Sequence, residues 1–321
     1  MQLFPKTHFD FIGMRWACFA VSAILLGACV VSLVTKGVRY GIDFTGGTVL
    51  QVSFEKPLTL AEFRAAVEGS GLAEASLQHF SNSNTFTIRT QADAKQSAEA
   101  IEKDLAQIQG ALPDNKMHED SKEYVGPAVG KHLFRQALWA VVLSLAGIML
   151  YLGVRFANPI WGVAGIIALF HDVLATYGLF SLLGIEIDLL IVSAILTIGG
   201  YSIHDTIIIF DRMREKLKVM RREPLGQVIN ESMNETMSRT IITSGTVFIV
   251  VMILYLFGGK VLHHFAMAMA FGLVVGTYSS IGVAAPLVFE WTQRNAGSRG
   301  AQPESADNAP RAKTKTGKRG R

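Results

Sequence analysis

Charge is scarce in this sequence. Of its 321 residues, 17% are Asp, Glu, Lys or Arg and half are apolar, a balance that argues against an ordinary soluble globular protein. Cysteine is scarcer still. Cys18 and Cys29 both fall in the first apolar run. On a helix they would sit roughly 16 Å apart, too far to pair with each other, so a disulfide scaffold is excluded. A Gly-rich phosphate loop running into a lysine-bearing helix is missing. So are a nucleophile–base–acid triad and a repeated Cys ligand pattern. The chain therefore reads as a non-enzyme, with no metal and no cofactor.

What it has instead is long apolar runs. Segments at about 16–34, 136–153, 160–183, 187–209, 240–257 and 265–288 each approach the roughly 20 residues that cross a bilayer as helix. Any one alone also fits a buried core helix, but together they leave little room for a soluble domain. The expected fold is an α-helical polytopic membrane protein. Lys6 and Arg15 precede the first segment, Arg155 lies in the second connection, and Arg212, Arg214, Lys216, Lys218, Arg221 and Arg222 follow the fourth. With a basic tail from Arg294, these fall on one side if the helices alternate, which places both termini in the cytoplasm. The net charge of +4 thus reads as orientation rather than as a nucleic-acid surface. The tail at 291–321 reads as disordered, and its "RAKTKTGKRGR" lacks aromatics to stack bases. "LGAC" (26–29) resembles a lipoprotein cleavage site, but apolar residues continue through Val34, so a retained anchor is the preferred reading.

Residues 35–132 are polar and face away from the cytoplasm on this orientation. "TVLQVSF" (48–54) alternates, with Leu50, Val52 and Phe54 on one face of a strand. Thr59 with Glu62 fits a capping box, and Gly69 or Gly71 can stop that helix. "ASLQHF" and "TFTIRT" make a hairpin around "SNSN". Residues 93–109 form a second helix and "KEYVG" a last short strand. The order β-α-β-β-α-β describes a small external α+β, ferredoxin-like domain between membrane helices 1 and 2. Residues 211–237 form a charged cytoplasmic connection with one proline, Pro224, whose first part continues helix 4 or lies at the lipid surface.

Polar groups inside the apolar runs carry the functional reading. Asp205, in "YSIHDTIIIFDRMRE", lies a few turns into the fourth segment. A carboxylate at a helix centre costs about 2.5–3.5 kcal/mol to insert, so something must hold it or use it. Arg239 opens the fifth segment in the same half of the membrane, with Thr243 and Thr246 on its face at spacings of four and seven. Tyr201, Asp205 and Arg212 form a polar stripe that should face another helix or a wet path. Burial raises the proton affinity of an acid and a nearby arginine lowers it. Moving Arg239 would therefore change the charge of Asp205. A static pair that only fixes packing is the other reading. His171, Asp172 and Thr176 in "LFHDVLATYGLF" extend such a network or close bonds between helices. The two His-Asp dipeptides do not make a ligand set, because adjacent side chains on a helix point about 100° apart. Gly272 and Gly276 permit close helix contact. In "GIDFTGG" (41–47) the glycines read as turn or close-approach positions and Asp43 as a turn or interface residue.

Taken together, "GIDFTGG", "HDVLATYGLF", "YSIHDTIIIFDRMRE", "SRTIITS" and "FGLVVGTYSSIGVAAP" resemble the SecF family, the smaller member of the SecD/SecF protein-export pair, over about residues 12–290. The resemblance implies a kinship with proton-driven RND transporters, a multi-pass location in the bacterial inner membrane with residues 35–132 periplasmic, and protons as the coupling ion. It implies a SecD-like partner, YajC, the SecYEG channel, SecA acting in the same pathway, YidC in membrane-protein assembly, and a translocating polypeptide as the load. It places the essential membrane acid at Asp205, its arginine at Arg239, and the external signature at Gly41, Asp43, Phe44, Gly46 and Gly47. The family commonly has Asn before the acid, where this chain has His204. That residue either alters the pH range of coupling or is a neutral neighbour facing another helix. A free-standing small-molecule or lipid exporter of RND type and a non-motor scaffold for membrane-protein insertion are the competing functions.

Overall fold

The computed structural model describes residues 8–70, 72, 75–79, 84–90, 98–156 and 158–300. Among them, six helices are long and apolar enough to cross a membrane. They are α1 (Arg15–Thr35), α5 (Pro127–Arg155), α6 (Pro159–Leu183), α7 (Leu189–Val219), α8 (Leu225–Phe257) and a continuous last span, Val261–Asn295. That last span is built from α9 (Gly259–Ser279), a π-helical turn (Ser280–Ala284) and α10 (Ala285–Gly300). Pro286 explains the widened turn. It has no N–H for the carbonyl of Gly282, and the ladder loosens there.

All six apolar runs became helices, longer than the hydropathy alone marked. The largest difference is in the second part of residues 211–237, a connection whose first part is expected to continue the fourth helix or lie at the lipid surface. α7 continues to Val219 and α8 starts at Leu225, leaving 220–224 as the link. Ion pairs between the two extensions explain this. Lys216 Nζ lies 2.5 Å from Glu231 Oε1 and 2.7 Å from Glu235 Oε1, and Arg212 also grips Glu235. Glu231 and Glu235, which read as connection, face Arg212 and Lys216 across a helical hairpin. α10 likewise runs to Gly300, past the expected start of the tail, and residues 301–321 lie outside the described residues.

Sequence caps set several helix ends. Asn158 and Pro159 open α6, and the Asn158 side chain accepts from the Ile160 N–H at 3.0 Å. Gly184, in the left-handed region, closes α6. Asp188 caps α7 through the Ile191 N–H at 2.8 Å.

The external domain follows the expected order. A short turn of helix, α2 (Ile42–Thr45), precedes β1 (Gly47–Phe54), α3 (Leu60–Glu68), β2 (Ser76–His79), β3 (Thr85–Thr90), α4 (Ala98–Ala111) and β4 (Met117–Val125). The strands lie in the order β2-β3-β1-β4 and every neighbouring pair is antiparallel. Leu50, Val52 and Phe54 of β1 are buried with Phe63, Phe86, Ile88 and Ile108, as the alternation requires. The Thr59–Glu62 capping box is formed. Most of "SNSN" and residues 93–97, expected in the hairpin turn and second helix, lie outside the described residues.

Candidate functional site

Three places gather the polar residues. The first is a joint between the external domain and the bundle, built by "GIDFTGG". Tyr40 and Ile187 form a parallel bridge, and the Gly41 N–H donates to the Ile187 carbonyl at 2.9 Å. Asp43 is an interface residue: its Oδ2 accepts from the Leu189 N–H at 3.0 Å, giving α7 a second cap beside Asp188. Phe44 is buried and packs edge-on to Tyr40 and Phe134. Gly46 and Gly47 have φ of 74° and 142°, and a Cβ on Gly47 would lie 2.5 Å from the Thr90 carbonyl oxygen. Only glycine fits that approach. Arg89 of β3 pairs with Glu186 in the α6–α7 link, which sequence reasoning missed because the two are far apart in the chain. Burial draws the Arg89 guanidinium below the usual arginine range, against the pull of Asp188, Asp43 and Glu123. The external end of α7 is thus tied to the external domain by backbone, cap and charge.

The second place surrounds Asp205, midway along α7 and only 2% exposed. Its Oδ2 accepts a bond of 3.3 Å from Ser244 of α8, and Ser244 in turn accepts from Thr277 of α9 at 3.0 Å. Arg239 does not pair with it. Arg239 lies exposed on α8, as do Thr243 and Thr246, whose hydroxyls donate to carbonyls of their own helix. The helical face chosen from spacings of four and seven points outward, and Ser244, at a spacing of five from Arg239, is the residue that turns inward. His204 is exposed and Tyr201 half-buried, with its hydroxyl oxygen buried and unpartnered among the described residues. A cavity of about 1380 Å³ opens at the charged ends of α7 and α8. Asp211, Arg212, Glu235 and Arg239 line it, with Asp10 of the N-terminal segment. That segment is held by amide clamps: Asn234 receives the Phe9 N–H at 2.9 Å and Asn230 the Ile12 N–H at 2.9 Å.

The third place surrounds Asp172 of α6, with an exposure of 0%. His171 Nδ1 lies 2.9 Å from its Oδ1. Its Oδ2 accepts from Ser279 of α9 at 2.7 Å and from Ser202 of α7 by a short bond. Gly276 permits this contact, since a Cβ there would lie 2.9 Å from the Ser202 Cβ; Gly272 meets Ile198 in the same way. Thr176 turns away and bonds the Asp172 carbonyl. Burying this acid costs about 2.5–3.5 kcal/mol by insertion scales, while a membrane hydrogen bond returns about 0.6 kcal/mol on average. Packing alone is a poor reason to keep it. Among the described residues no group of three or more His, Cys, Asp or Glu side chains is arranged to hold a metal.

Comparison with known proteins accounts for the same features. Residues 107–294 match the family described as "Protein export membrane protein SecD/SecF, C-terminal", and residues 31–58 match the "SecD/SecF GG Motif". Curated relatives are each called "Protein translocase subunit SecF". The one from Endomicrobium trichonymphae is 40% identical over 292 residues, covering 91% of this chain and 94% of the relative. That from Magnetococcus marinus is 41% identical, covering 90% and 94%. Among solved structures, SecDF from Thermus thermophilus, described as a translocon-associated membrane protein, matches with a TM-score of 0.81 and 36% identity over 90% of this chain. The chain spans 39% of that longer SecDF chain.

Proposed function

The chain belongs to the SecF family of non-catalytic subunits that assist the Sec protein translocase from the bacterial inner membrane, and on that premise we propose that it couples proton passage to export through Asp205 and Arg239. Its six spans make one half of a SecDF-like assembly, with the domain at 35–132 in the periplasm. The missing half is a SecD-like partner. SecYEG, YajC, SecA and, in membrane-protein assembly, YidC are the further partners of this reading, and the outgoing polypeptide is the load. We also read the external domain as ferredoxin-like, supported by its βαββαβ order and its all-antiparallel strand order β2-β3-β1-β4.

One observation carries the coupling. Asp205 is buried in the bundle but, among the described residues, held by a single long hydroxyl bond, while the arginine of the next helix stands in the wall of a cavity open to the cytoplasmic side. An acid so weakly held can change its charge without dismantling the fold. When Arg239 swings toward it, the anion is favoured; when Arg239 returns to the cavity, the protonated acid is favoured. A charge that crosses the membrane releases about 2.3 kcal/mol per 100 mV. The joint offers a mechanical output: α7 carries Asp205 in the membrane and meets Asp43, Gly41 and the periplasmic sheet at its outer end.

The test is export by the reconstituted complex under an imposed voltage. Asp205→Asn should assemble normally and export at the rate seen without voltage. Voltage-driven export at the wild-type rate would leave a scaffold role instead.

A further inference from the structure

We propose that the His171–Asp172 pair is a second proton-carrying site of the membrane bundle, separate from Asp205 and linked to it through the hydroxyl face of α9. This deepens the proton-coupled reading above and rests on it.

Both residues are buried, His171 at 4% exposure and Asp172 at 0%; Asp172 meets Ser202 of α7 and Ser279 of α9, and the His171 ring lies 6.2 Å from that of Tyr278 on α9. Among the described residues no lysine or arginine forms an ion pair with Asp172; the side chain facing its Oδ1 is the His171 imidazole. Among the described residues, the titratable groups on the packed helices include Tyr278 on α9, Cys18 and the buried Cys29 on α1, and Tyr201, His204 and Asp205 on α7. Residues 136–150 of α5 and 285–289 of α10 contain none with a charge. The pair must therefore settle its own proton count within hydrocarbon.

The ring has the right open end. Nδ1 faces the Asp172 carboxyl, while Nε2 is buried with no hydrogen-bond partner among the described residues. A proton bound at Nε2 lets the Nδ1 proton pass to Asp172 Oδ1. The imidazole ends neutral in its other tautomer, and the carboxyl ends neutral. One proton enters, one moves, and none is lost.

The helices can sense that transfer. Neutral Asp172 is a weaker acceptor at Oδ2, where the Ser202 and Ser279 hydroxyls point. Ser279 has an alternative acceptor, the Gly276 carbonyl at 3.1 Å. Thr277, on the same stretch of α9, donates to the Ser244 hydroxyl that holds Asp205, and Ser280 bonds Thr206, the residue after Asp205. The π-helical turn begins at Ser280, so the stretch of α9 that bridges the two acids runs directly into a break in the regular helical ladder.

The experiment is infrared difference spectroscopy on the complex purified with its SecD-like partner, with and without an imposed proton-motive force, paired with export rates. Wild type should show two carboxylic-acid signals that change with the force. Asp205→Asn should remove one and Asp172→Asn the other, and Asp172→Asn should lower driven export on the order of a hundredfold, the low end for losing a positioned proton-transfer group. Ser279→Ala keeps both acids and should shift the frequency of the Asp172 signal alone. An Asp172 signal that never responds to the force overturns the proposal, as does wild-type driven export by assembled Asp172→Asn. If Asp172→Asn does not assemble, an unchanged Asp172 signal in Ser279→Ala overturns it. Normal export by Asp205→Asn would instead overturn the primary coupling reading.

Discussion

The α6–α7–α9 contact holds Asp172 through three side chains, whereas the α7–α8 contact holds the likewise buried Asp205 through one. Asp172 has His171, Ser202 and Ser279 on its two oxygens and glycine-spaced helices pressed around it. Asp205 has Ser244 at 3.3 Å and, beyond it, an outward polar face with His204, Arg239, Thr243 and Thr246. That face sits at membrane depth, where polar groups should meet protein or a wet path rather than lipid. The contrast teaches that the same side chain can be held by several donors or by one, and so pass a change of charge to several helices or to a single neighbour.

The comparison can be broken at Asp172 first. Gly276→Val pushes a side chain into Ser202 and Asp172, and overpacking of this kind costs about 1–3 kcal/mol. The variant is expected to lower the thermal midpoint of the purified complex and to abolish driven export; an unchanged midpoint would mean that α9 has room to yield. On the Asp205 side, Arg239→Lys keeps a charge but loses the five-donor fork, and driven export should fall by roughly threefold to tenfold with assembly intact. Wild-type rates across pH would remove any geometric role for the guanidinium. Ser244→Ala strips Asp205 of its one hydroxyl bond. A loss of about 0.6 kcal/mol, or roughly threefold in driven export, is expected, and a larger loss would show the site to be as firmly held as that of Asp172. His204→Asn should change export by less than about twofold, because the ring is exposed and makes no bond to Asp205. A collapse of export at neutral pH would make His204 part of the proton path.

The outline of the molecule was readable from local pattern. Six apolar runs, the Leu50–Val52–Phe54 alternation and the Thr59–Glu62 box all depend on neighbours within a few residues, and all appear as expected. The reading faltered where a residue's meaning depends on a distant partner. Arg212 and Lys216 read as a continuation of the fourth helix or a surface segment, and Glu231 and Glu235 as connection, until two helices bring them face to face. Thr243 and Thr246 looked like companions of Asp205 because they share a face with Arg239, yet the whole face points outward.

Periodicity and composition by themselves determined that this chain crosses a membrane six times, carries an α/β domain outside it, and buries acids at a cost that demands an explanation. Those properties are sums over consecutive residues. The tertiary structure alone decided that Ser244, not Arg239, touches Asp205 in this state, that Asp172 is gripped from two other helices, and that Arg89 meets Glu186. Helix rotation and pairing set these contacts. A rotation of about 100° moves each face by one residue, and only packing against the other helices selects among the choices.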